Sequence, residues 1–192
     1  MSEKGILRAL VRMGEIRDPY TAGHERRVAE LGAAIGQRLK LRPESVQSIR
    51  LAGMLHDIGK IAVPVEILNR PGRLSPHEMG MIRTHSEVGF DILKDSDLPA
   101  HVAEMVLEHH ERLDGTGYPH GKKNGDISIE SRVLAVADVV ESMISHRPYR
   151  PALGVDRAFD EIQKGSGTIY DADVTDACMD LFTKDGFALA AY

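Results

Sequence analysis

An all-α fold is what this sequence predicts, from three observations. Apolar residues recur at spacings of three and four in each long segment, no segment alternates apolar and polar side chains with period two, and helix start signals precede periodic runs. The 192 residues, 42% of them hydrophobic, are enough for one full core without disulfides. With no internal repeat, low-complexity tract or composition break, residues 1–192 read as one domain. Periodic stretches around residues 6–11 and 21–39 give the first two helices, separated by Asp18-Pro19. Residues 43–57 form the next, apolar nearly all round between Ile49 and Ile58 and hence central, with Gly59 as its stop. Residues 61–74 hold Pro64 and a Pro71-Gly72 turn, and read as a connection with one short helical piece. Ser75-Pro76-His77-Glu78 is a capping box with proline at the first helical position, opening a helix that runs to Leu93. Leu98, Val102, Met105, Val106 and His109 mark another helix, and the glycine-rich stretch 114–125 is a loop. Helices near 131–145, 155–164 and 174–183 complete the chain.

Composition excludes several function classes. The single cysteine, Cys178, lies in a helical pattern with Val174, Ala177 and Leu181 and reads as a small buried hydrophobe in a reducing cytoplasm, so a thiolate metal site is not expected. No apolar run approaches the roughly 20 residues of a membrane span, and residues 1–10 lack the apolar core of a signal peptide. The expectation is a cytoplasmic protein with no membrane partner. A net charge of −5 argues against polymeric nucleic acid but leaves room for a small anion in a locally basic pocket.

The chemistry lies in polar residues on apolar faces. His24 precedes Val28, Leu31, Ile35 and Leu39 at helical spacing, His56 and Asp57 end the most apolar helix, and His85 shares a face with Met81, Ile82, Val88 and Ile92. His109 follows Val102, Met105 and Val106, and Asp138 sits inside the run 134–140, where an unpartnered carboxylate carries a desolvation cost of several kcal/mol. Each alone has an ordinary explanation as a hydrogen-bonded core residue or a helix cap. Together, five inward histidines (His110 being the fifth) and two inward aspartates need a shared counter-charge, which two divalent cations supply. The donor set suits manganese, iron, nickel, cobalt or zinc alike. His109 and His110, adjacent and so about 100° apart on a regular helix, converge only at a helix end. His77, His101, His120 and His146 fall at helix starts or in loops and are expected to be solvated. No P-loop, dinucleotide-binding glycine pattern or helical zinc-protease motif is present.

At His56-Asp57-Ile58-Gly59-Lys60 the chain resembles the HD superfamily of metal-dependent phosphohydrolases. The stretch His109-His110-Glu111-Arg112-Leu113-Asp114-Gly115-Thr116-Gly117-Tyr118-Pro119 resembles the signature of its HD-GYP family, as do Ala137-Asp138-Val139 and Arg147-Pro148-Tyr149-Arg150. Asp18 to His24, Arg70-Pro71-Gly72 and His85 fall in the same order, so the resemblance covers nearly the whole chain. It implies an all-α bacterial signalling enzyme that hydrolyses cyclic di-GMP to linear pGpG, with GMP as the further product left open. It implies the metal ligands His24, His56, Asp57, His85, His109, His110 and Asp138, with Asp57 bridging two ions, and His56, Asp57 and Lys60 as the catalytic set. Lys60, Tyr118, Arg147 and Arg150 match substrate-contacting positions. Some relatives hold a third metal through a glutamate four residues before the first histidine; here that position is Tyr20, so two metals are expected. Leu113 replaces a usual aromatic, and Ser128 and Ala172 replace usual prolines, departures that bear on pocket shape and leave the ligands intact.

The expected reaction has a metal-bridging hydroxide attacking phosphorus in line with the departing 3′ oxygen, while Lys60, Arg147 and Arg150 neutralise phosphate oxygens. The ordinary roles to weigh against this are a packed loop tyrosine for Tyr118, a helix C-terminal lysine for Lys60, and surface ion pairs near Glu141 or Asp156 for the two arginines. Other readings are a phosphohydrolase of another cyclic dinucleotide or a nucleotide monoester, and a catalytically silent module that senses cyclic di-GMP or docks a partner. A diguanylate cyclase or a regulatory domain is the partner class in view. The plainest alternative is a helical interaction domain whose histidines only satisfy core hydrogen bonds.

Overall fold

The computed structural model describes residues 3–17, 23–70, 72–145 and 152–189. Along them run α1 (Glu3–Arg17), α2 (His24–Arg38), α3 (Pro43–Leu55), a 3-10 turn (Ile58–Ala62), α4 (Val65–Leu68), α5 (Pro76–Arg83) and α6 (His85–Leu93). Then follow α7 (Ala100–Glu108), a second 3-10 turn (Asn124–Asp126), α8 (Ile129–Ile144), α9 (Val155–Lys164) and α10 (Ala172–Thr183). Among the described residues extended pairing is limited to isolated bridges, Asp114 to Lys123 and Ser166 to Tyr170, so the fold is all-α. No helix among them is long and apolar enough to cross a membrane.

The apolar stripes explain the packing. Val28, Leu31 and Ile35 of α2, Ile49 and Leu55 of α3, and Val133, Leu134 and Val140 of α8 are all buried, and these three helices form the centre. Removing each such side chain from water contributes roughly 1.5–3 kcal/mol. Helix α7 docks on α3 and α8, α6 on α7 and the first 3-10 turn, and α9 and α10 cover α8. Gly53 lets α2 and α3 touch backbone to backbone, since a Cβ there would lie 2.7 Å from the Ala29 Cα. Cys178 is fully buried in α10, as its pattern predicts.

The helix expected to run unbroken from Ser75 to Leu93 is two helices. Its start is as read: Glu78 N–H donates to Ser75 Oγ at 3.3 Å, and the Ser75 N–H donates to Glu78 Oε2 at 2.8 Å. The break falls at Thr84, whose hydroxyl donates to the Met81 carbonyl at 2.7 Å while His85 Nδ1 lies 2.7 Å from the Ile82 carbonyl. Side chains thus take up carbonyls at the end of α5, the local competition that interrupts helices. His85 thereby opens α6, whose inward face is His85, Ser86, Gly89 and Leu93. Ile92, expected to share that face, is 42% exposed.

The first 3-10 turn is pressed onto α6 at Gly59. A Cβ on that residue would stand 1.9 Å from the His85 carbonyl oxygen and 2.6 Å from the Gly89 nitrogen, both backbone atoms with nowhere to move. Gly59→Ala is therefore expected to lower stability by about 2 kcal/mol or more, the upper range of overpacking effects. Urea unfolding should show the midpoint falling with the slope unchanged.

Candidate metal centre

Helix ends assemble the site. His24 is the first residue of α2 and His85 the first of α6, while His56 and Asp57 follow α3 and His109 and His110 follow α7. The adjacent histidines converge because α7 ends at Glu108 and the chain turns there. Asp138 alone reaches in from mid-helix, from α8. All seven side chains come together; six are buried and His110 is partly so. Ligand atoms of His24, His56 and Asp138 lie within 4.8 Å of one another, as do those of His56, Asp57 and His109, and those of His85, His109 and His110.

Asp57 stands between the two ends of this cluster. Its Oδ2 faces His24 Nε2 at 3.9 Å and His56 Nε2 at 3.7 Å, and its Oδ1 faces His85 Nε2 at 3.6 Å. Asp138 Oδ1 faces His24 Nε2 at 3.3 Å and His56 Nε2 at 3.8 Å.

The tautomers follow from the carbonyls. Nδ1 of His56, His85 and His109 lies 2.8, 2.7 and 2.7 Å from the carbonyls of Gly53, Ile82 and Val106. A carbonyl only accepts, so each neutral ring carries its proton on Nδ1 and turns a bare Nε2 lone pair inward. Two of these, His85 and His109, then face each other at 3.2 Å with no proton to share. His56 Nε2 is buried with no hydrogen-bond partner. Buried polar atoms are normally satisfied, and imidazole lone pairs aimed at a common point beside carboxylates fit a divalent cation.

Electrostatics point the same way. Burial raises Asp57, but the Lys60 ammonium and the surrounding histidines outweigh it and hold its carboxyl well below the usual range. Asp138 is likewise held low against burial, chiefly by its hydrogen bond with His24. Burial pushes His109 far down and His110 to about 3, and lowers His85, so these rings stay neutral. On His24 burial is outweighed by hydrogen bonds to Asp138 and Glu141, which hold it up at about 10. The carboxylates thus demand positive charge at the middle of the cluster, which a proton on His24 or a cation among the rings can meet.

Lys60 belongs to the first 3-10 turn and places Nζ 2.6 Å from Asp57 Oδ2. Tyr118 stacks on His110, ring centroids 4.6 Å apart at 26°, with the exposed Arg83 guanidinium over the ring, 5.0 Å from its centroid. Burial raises the Tyr118 pKa, so its hydroxyl stays protonated. The peptide bond to Pro119 is cis. Asp18, Tyr20, His146, Arg147 and Arg150 lie outside the described residues. His77, His101 and His120 are exposed, with His101 bonded to Ser48 Oγ at 2.6 Å. Of the departures from the signature, Ser128 has taken a structural duty of its own as the cap of α8, accepting from Ser131 N–H at 3.1 Å.

Several buried carboxylates escaped the sequence reading, among them Glu111, Glu108 and Glu141. Glu111 is buried and accepts the backbone N–H of His120 at 2.7 Å and of Lys122 at 2.9 Å, tying down the loop that carries Tyr118. Glu108 is buried and bonds Ser131 Oγ and Lys122 Nζ, both at 2.7 Å. Glu141, named in the sequence only in the ordinary alternative of a surface ion pair for Arg147 or Arg150, is buried and bonded to His24 and Arg27. The signal for Glu141 was its place three residues after Asp138, on the same inward face of α8.

Comparison with known proteins gives the family and the fold. The profile of the HD domain family matches residues 8–174. The chain is 40% identical over 178 residues to a cyclic di-GMP phosphodiesterase of Thermotoga maritima, covering 92% of this chain and 48% of that protein. It is 41% identical over 162 residues to a cyclic di-GMP phosphodiesterase of Pseudomonas aeruginosa, covering 84% and 39%. The chain thus spans less than half the length of either relative. Its fold resembles the crystal structure of a cyclic GMP-AMP specific phosphodiesterase of Vibrio cholerae, with TM-score 0.71 and 17% identity over 93% of this chain and 48% of that one. A family profile spanning most of the chain, with the motif His56-Asp57 at the head of the first 3-10 turn and inside the cluster, leads to one conclusion: the chain belongs to the HD domain family.

Proposed function

We propose that residues 1–192 act as one HD-GYP-like domain that hydrolyses a phosphodiester bond of cyclic di-GMP, giving linear pGpG. The observation that carries this is the two-ended cluster of inward lone pairs with Asp57 between its ends. The names of the Thermotoga and Pseudomonas relatives support the substrate. In this reading His24, His56 and Asp138 hold one divalent ion, His85, His109 and His110 hold another, and Asp57 is shared. When bound, such ions supply a hydroxide nucleophile near neutral pH and offset charge gathering on phosphate oxygens. Manganese, iron, nickel, cobalt and zinc all fit the donor set.

The chain's own groups do the rest. Lys60 keeps Asp57 ionised and sets a fixed cation beside the cluster, where phosphate charge is to be neutralised. Tyr118, stacked on His110 with the Arg83 guanidinium over its ring, meets the substrate through its ring edge and protonated hydroxyl beside the cluster. Arg147 and Arg150 supply the remaining positive charge that a dianionic dinucleotide needs against a chain of net charge −5. Burial of the ligand atoms keeps bulk water from competing for the same positions.

Incubation with cyclic di-GMP and manganese or ferrous iron should yield pGpG on chromatography, faster than cyclic GMP-AMP is consumed under the same conditions. No product with any of the five metals, or equal loss of both substrates, contradicts the assignment. Asp57→Ala should abolish turnover and bound metal together, and full turnover in that variant would show the site to be elsewhere. Arg147→Ala should keep wild-type metal content while raising KM. Glu111→Ala, which removes the acceptor for two backbone N–H groups, should lower stability by about 1–3 kcal/mol and raise KM severalfold with metal content intact. A normal KM in that variant would separate the loop anchor from substrate binding.

A further inference from the structure

The cluster histidines are not all held in the same way. Three of them, His56, His85 and His109, have Nδ1 fixed by the carbonyl three residues back in their own chain segment. His24 opens α2, and its Nδ1 is met by a side chain from another helix, Glu141 Oε2 of α8. Glu141 is 1% exposed, and its second oxygen accepts from Arg27 Nε and from Ser145 Oγ, each at 2.5 Å. Arg27 lies one turn after His24 on α2, and Glu141 one turn after Asp138 on α8. The same two helix faces therefore meet twice, once at His24 Nε2 to Asp138 and once at the Glu141 carboxylate, with the imidazole spanning both contacts.

We propose that Glu141 is a positioning residue for the metal centre, setting the orientation and donor strength of His24 and so the affinity of the ion held by His24, His56 and Asp138. The inference rests on the metal-centre reading above and goes beyond it by assigning a role to a residue that is not itself a ligand. A carboxylate on Nδ1 fixes which nitrogen carries the proton and makes the opposite nitrogen a better donor than a carbonyl does, and loss of such a partner weakens metal binding by about 10- to 100-fold in general. Both Glu141 oxygens are engaged by donors, so the carboxylate stays in place with no ion to hold it. The competing role is a helix-to-helix ion pair of α2 and α8 with no bearing on the metal.

The test uses metal-free wild type, Glu141→Gln and Asp171→Asn, titrated with cobalt(II) against a competing chelator, with absorption spectra and thermal unfolding of the metal-free forms recorded alongside. Asp171→Asn is the matched control, because it disturbs a 2.9 Å ion pair between Arg132 of α8 and the cap of α10 that touches none of the seven residues. Glu141→Gln should bind one of two cobalt ions about 10- to 100-fold more weakly, with an altered spectrum for that ion and the other near wild type. Asp171→Asn should shift the metal-free melting temperature and leave both affinities alone. Wild-type affinity for both ions in Glu141→Gln, or the same weakening in the control, would overturn the proposal. If wild type itself takes up no cobalt, the metal reading falls and this inference with it, whatever the variants do. Should Glu141→Gln not fold, nitrogen-15 imidazole spectra of the zinc-loaded wild type decide. The His24 Nδ1 proton should then resonate downfield of those on His56, His85 and His109, and a position among them would overturn the proposal.

Discussion

Lone pairs facing each other within a buried cluster are the constraint on which the rest of this structure turns. His85 and His109 oppose unprotonated nitrogens at 3.2 Å, and His56 Nε2 has no hydrogen-bond partner. No arrangement of neutral rings relieves that conflict while their Nδ1 protons are committed to backbone carbonyls. The architecture around it serves to impose the conflict: helix ends deliver the rings, Gly53 draws α2 and α3 together, and Gly59 seats the Asp57 turn against the start of α6. Packing of the three central helices holds these groups in place.

Much of this could be read from the chain because it depends on periodicity and punctuation. The all-α class, the order of the helices and the inward faces of His24, His56, His109 and Asp138 all follow from apolar spacing, which burial enforces directly. The capping box at Ser75 was legible for a different reason, since its two hydrogen bonds involve residues three apart and need no tertiary partner. That His109 and His110 sit past a helix end was also recoverable, because neighbours on a helix cannot point the same way.

What escaped the sequence has one physical origin. The division between α5 and α6 arises where a distant turn presses on His85 and side chains take up carbonyls, and local propensity contains neither event. Glu108, Glu111 and Glu141 look like solvated charges in the chain, and each is buried by partners from other segments: Lys122 and Ser131, the backbone of the signature loop, and His24 with Arg27. A buried carboxylate is decided by its tertiary donors, which no window of neighbouring residues reveals.

The Nδ1 contacts also bear on which element the cell would find in this protein. Because the rings are set by carbonyls and by Glu141, the cage has a shape of its own and admits any ion of suitable radius and ligand preference. It offers five imidazoles and two carboxylates with the lone cysteine away in α10, a donor mix for which intrinsic binding strength climbs from manganese and iron toward nickel and copper. Selection for a weaker-binding, redox-active occupant cannot come from such a cage by itself. It would be exercised by metal availability at the time of loading, and the identity of a bound ion would then report the metal supply of its host.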